Sequence, residues 1–151
     1  MIETILMAHV FFGIACMLAA VWVFVDVLNI SEANVARIRK VSWGASASMW
    51  IAFVVAGYWY VTFYKVDKAI ILKGPWPSAH NLVMETKEHL VIILLLLASY
   101  LPIVASDNLL QSKDARKVML WTSGMVALLS LAMDGEGGII AMGVKVGLLP
   151  K

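Results

Sequence analysis

The side chains with the greatest chemical reach in this sequence are its three histidines, His9, His80 and His89. Neutral imidazole is the commonest side-chain metal ligand, and two imidazoles on facing helices can hold a haem iron from both sides. His9 and His89 lie in apolar runs, whereas His80 sits in the polar stretch leading into the run that His89 opens. Glu85 precedes His89 by four residues. On one continuous helix the two share a face, and a carboxylate so placed can hold an imidazole N–H and fix its tautomer. Gly13, one turn beyond His9, leaves room against its helix for a bulky group. Glu88, Asp134 and Glu136 are further acidic groups near the ends of apolar runs, where they could support such a site from behind.

Other arrangements are absent. No CxxCH attaches a c-type haem, no HExxH marks a zinc protease, and Glu85-x-x-Glu88-His89 misses the Glu-x-x-His of a di-iron bundle by one residue. The single cysteine, Cys16, lies within an apolar run, forms no intrachain disulfide and reads as a small packing residue.

The elements that must position these groups follow from composition. The chain has 151 residues, 62% of them hydrophobic and 15% charged, with six tryptophans and a mean hydropathy of +0.86. Soluble domains average about 45–50% apolar and about 25% charged. The chain therefore reads as an all-α integral membrane protein, a single membrane domain over residues 1–151 with no separate soluble domain. A crossing takes about 20 apolar residues. Spans are expected at about residues 4–28, 41–64, 89–106 and 118–134, joined as an antiparallel four-helix bundle. The last is short, so either the stretch Asp134-Gly135-Glu136-Gly137-Gly138 enters the membrane boundary or the helix continues through it. The N-terminal run lacks the basic region of a cleavable secretion signal and is expected to be retained.

The connector 65–88 contains the breaker run Gly74-Pro75-Trp76-Pro77, then Ser78 as an N-cap candidate. A helix over 78–88 is expected to lie in the interface or run into the third span, with Leu82 and Val83 on membrane or bundle and Lys87 facing water. Tyr58, Trp59, Tyr60 and Tyr64 read as an interfacial aromatic belt. Six basic residues, Arg37, Arg39, Lys40, Lys113, Arg116 and Lys117, flank the loops after spans one and three, against four in the central connector. The positive-inside rule then puts the chain in the membrane as a multi-pass protein with both termini non-cytoplasmic. The formal charge of +2 gives no reason to expect a nucleic-acid partner.

Small residues line one face of three spans: His9, Gly13, Cys16 and Ala20; Ala45, Ser48, Ala52 and Ala56; Ser123, Ala127, Ser130 and Asp134. Such stripes mark where membrane helices meet. With this topology the three histidines fall in one layer near the non-cytoplasmic side.

Three functions fit. The first is a membrane electron-transfer protein or subunit, with one b-type haem clamped by His9 and His89, space from Gly13, and a quinone in the membrane as redox partner. In span count and paired histidines only, this layout resembles small four-helix membrane b-type cytochromes. The second is a non-haem copper, iron or zinc site using His9, His89, His80 and Glu85, with Met84 and Met133 as soft ligands for copper. The third is a non-catalytic subunit or assembly factor of a larger membrane complex, or a homo-oligomer, whose polar residues hold helices together and dock a neighbour. An electron-transfer or accessory subunit suits so small a chain better than a stand-alone enzyme.

Overall fold

The computed structural model describes residues 2–149. In chain order these form α1 (Ile2–Leu28), α2 (Glu32–Thr62), α3 (Tyr64–Lys73), a π-helical segment (Ala79–Met84), α4 (Glu85–Ala105) and α5 (Lys113–Gly147). Four helices are long and apolar enough to cross a membrane: α1, α2, α5, and α4 together with the π-helical segment before it. Their outward faces carry large apolar side chains such as Phe11, Leu18, Val61, Leu96, Trp121 and Leu128, all more than half exposed. A soluble monomer rarely shows so much contiguous apolar surface, and this surface suggests a lipid bilayer as its surroundings.

Among the described residues, α1 packs on α2 and α5, α4 packs on the same two helices, and the backbones of α1 and α4 do not approach each other closely. The small residues let the backbones approach. Cys16, Ala20, Ala45, Ala52, Ser123 and Ser130 are all buried at these contacts, with Leu94, Leu101 and Met119 filling the space between them.

The turn between α1 and α2 is shorter than the sequence suggests, so Arg37, Arg39 and Lys40 lie on helix rather than in a loop. Side chains close it. Arg37 donates to both oxygens of the buried Asp26 carboxylate, at 2.8 and 2.7 Å. Asn34 accepts from the Ser31 N–H at 2.8 Å and donates to the Asp26 and Asn29 carbonyls. These bonds satisfy the Ser31 N–H and carbonyls at the end of α1, and α2 begins at Glu32.

The first part of the stretch 65–88 differs from the expected connector, whereas its second part takes one of the two expected courses. The first part is α3, and the segment after Pro77 runs without a break into α4. Ser78 is not an N-cap: its backbone is helical and its side chain makes no capping bond, while the Pro77 carbonyl accepts from His80 and Asn81. Helix α5 continues through the glycine-rich stretch to Gly147. At 1.5 Å per residue it is about 52 Å long, well beyond about 30 Å of hydrocarbon. Its far end packs with α3 and the π-helical segment in a second small core of Tyr64, Ile71, Ala79, Met84 and Ile140.

Candidate functional site

Ionisable groups from α1, α4 and α5 converge at one level of the four long helices, beside the backbone of α2. His9 is half-buried, and its Nδ1 donates to the Ala52 carbonyl of α2 at 3.1 Å. A carbonyl only accepts, so Nδ1 carries the proton and Nε2 is left free. His9 lies within electrostatic range of Lys87 and Asp134. The room that Gly13 provides faces the Asp134 carboxylate, whose Oδ1 is 3.6 Å from where a Cβ at Gly13 would stand.

Lys87 is the member that the sequence did not reveal, and the expectation that it faces water is wrong. It is half-buried, and its ammonium crosses to α5, donating to the Met133 carbonyl at 2.9 Å. It lies 3.0 Å from the position a Cβ on Gly137 would take, so the bare backbone there is what lets it in. Asp134 and Glu136 are the anionic groups within its electrostatic range. Glu136 has one carboxylate oxygen buried with no hydrogen-bond partner among the described residues.

His89 is at the same level but points elsewhere. It is exposed, and its Nδ1 donates to the backbone carbonyl of Glu85 at 2.6 Å, not to the Glu85 carboxylate. Ile93, Leu96, Tyr100 and Ile103, which continue its stripe along α4, are all exposed, whereas Leu94, Leu95, Ala98 and Leu101 form the inward face. The structure therefore does not bring His9 and His89 together. Comparison with family models, curated proteins and solved structures gives no match. The reading of this site accordingly rests on its own geometry.

His80 belongs to the second core. It is buried, and its Nδ1 pairs with the Tyr64 hydroxyl at 3.0 Å. Tyr60 stacks on Tyr64 with ring centroids 5.0 Å apart, and Trp59 packs at 5.5 Å. Burial, reinforced by the charges of Tyr60, Glu88 and Asp67, pushes the Tyr64 phenol far above its usual range, so it stays a neutral hydrogen-bonding group. Burial likewise raises the Asp67 carboxyl on the same helix. Glu85 and Glu88 are both exposed on α4, and Glu88 lies near Tyr60. Among the described residues, no three of the His, Cys, Asp and Glu side chains come together closely enough to share a metal ion.

Several polar side chains, half-buried and exposed, join helices. His9 ties α1 to α2, Lys87 ties α4 to α5, and Arg39 ties α2 to the Ala105 carbonyl at 2.9 Å. Trp50 adds a bond from α2 to Ser99 of α4 at 3.0 Å. Asp26 and Arg37 could have been found in the sequence as opposite charges flanking a short turn. Lys87 could not, since nothing in its neighbourhood shows where its amine goes.

Proposed function

We propose that this chain is a non-catalytic subunit or assembly factor of a larger membrane complex, with its four spans crossing antiparallel and both termini on the non-cytoplasmic side. The observation that carries the reading is the outward placement of His89, with Glu85, on the face of α4 that continues into Ile93, Leu96 and Ile103. Lipid tails cannot satisfy an imidazole and a carboxylate, so polar groups on an outward face that is otherwise apolar favour a protein neighbour. The hydrogen bonds of His9, Lys87, Arg39 and Trp50 are meanwhile taken up in joining the four helices.

Mild solubilisation of native membranes should give a particle well above the 16.6 kDa of one chain on a native gel. The double substitution Glu85→Leu, His89→Leu should release a folded free chain. A wild-type chain that migrates alone, or a double variant still in the particle, overturns the reading. A thiol probe applied to Gln111→Cys should react only from the cytoplasmic side.

A second reading, the membrane electron-transfer protein with b-type haem, is favoured by one feature. His9 and His89 each hold Nδ1 on a carbonyl and leave Nε2 free, the state in which an imidazole ligates iron. Because the two do not face each other within one chain, the haem iron would take its second axial ligand from elsewhere. The same preparation decides the matter: a Soret band with split visible bands on reduction, lost in His9→Ala or in His89→Ala, would replace the first reading with this one.

A further inference from the structure

Along α3, Lys65, Val66, Ala69, Ile70 and Lys73 line one side of an open groove of about 540 Å³, which Leu148 at the end of α5 completes. Its lining is mostly apolar apart from the two lysines, which are exposed, and no acidic side chain lines it among the described residues. Asp67 is half-buried, on the side of α3 where Tyr64 and Ile71 are buried. Gly147 also lines the groove, its backbone packed directly on Ile70.

The level of the groove is marked independently. Tyr58 and Trp76, about half exposed, flank α3 in the chain, and amphipathic aromatic side chains concentrate where hydrocarbon gives way to headgroups. Val66 and Leu148 are each about two-thirds exposed beside the lysines, so apolar surface and positive charge are offered together. A soluble anion would use the charge and leave the apolar lining bare. A neutral lipid would use the lining and leave the ammonium groups unpaired.

We infer that this groove is a binding site for an anionic phospholipid, one acyl chain lying along Val66, Ile70 and Leu148 and the phosphate between Lys65 and Lys73. The site goes beyond the subunit reading and stands whether or not the chain has a protein partner.

Full-length protein reconstituted in nanodiscs of mixed phosphatidylcholine and phosphatidylglycerol, then released for native mass spectrometry, provides the test. Phosphatidylglycerol should remain bound in preference to phosphatidylcholine. Two lysines near the headgroup level contribute about thirtyfold in affinity, so Lys65→Gln with Lys73→Gln should lower retention by about that factor. Lys40→Gln with Lys113→Gln, on helices outside the groove, should leave it unchanged. Equal retention of the two lipids, or an equal loss in both double variants, overturns the site. Displacement of the lipid by excess inorganic phosphate would show a simple anion site instead and overturn it as well.

Discussion

Gly143→Ala and Gly147→Ala should each destabilise the protein by about 1–3 kcal/mol, the usual cost of forcing an atom into a filled contact. A Cβ on Gly143 would lie 2.7 Å from the Cβ of Ala79, which has no freedom to turn away. At Gly147 it would lie 2.8 Å from Ile70 Cγ2 and 2.9 Å from the Ile70 carbonyl oxygen, so α3 as a whole would have to move. Gly74 makes the reciprocal approach, its Cβ position 2.9 Å from the Gly147 Cα. Gly135 and Gly138 are on the same helix with nothing within 4 Å, and alanine there should stabilise by about 0.5–1 kcal/mol through helix propensity alone. The four variants therefore divide by sign. Thermal unfolding in one detergent measures all four, and a Gly143→Ala protein as stable as Gly138→Ala would show that α5 does not dock on the π-helical segment as described.

This division shows where sequence reasoning stops. The four long helices are legible because crossing a bilayer needs length and apolar composition, both one-dimensional properties. The small-residue stripes are legible for a related reason: Cys16, Ala20, Ala45, Ala52 and Ser130 recur at helical spacing and are buried. The glycines of α5 are not so legible, since three of them answer to different neighbours, the Lys87 ammonium at Gly137, Ala79 at Gly143 and Ile70 at Gly147, while Gly135 and Gly138 meet nothing within 4 Å. Those neighbours are known only once α3 has folded back onto α5.

The direction of His89 was hidden for another reason. The run Leu90-Val91-Ile92-Ile93-Leu94-Leu95-Leu96-Leu97-Ala98 is apolar all round, so no periodicity distinguishes the face that packs on α2 and α5 from the face that does not. Depth along the helix could be estimated from the ends of the run. Rotation about its axis could not, and rotation decides whether His89 looks across at His9 or away from it.

Lys87 gives the other large effect. Lys87→Met keeps most of the aliphatic stem, so its consequence comes mainly from the lost ammonium rather than from lost packing. The ammonium donates to the Met133 carbonyl and is the cation within range of both Asp134 and Glu136. Losing a charged hydrogen bond typically costs about 1.5–3 kcal/mol, whereas changing a lysine that merely points into water costs within about 0.5 kcal/mol. Denaturant unfolding of the purified protein should therefore show a loss in the larger range. A double-mutant cycle separates the electrostatic part: in an Asp134→Asn background one anion near Lys87 is already neutral, so Lys87→Met should cost less there than in the parent. Equal costs in the two backgrounds would mean that the ammonium only tethers α4 to the Met133 carbonyl, and a cost within about 0.5 kcal/mol in both would mean that Lys87 is solvated and the ionisable layer does not hold α4 to α5.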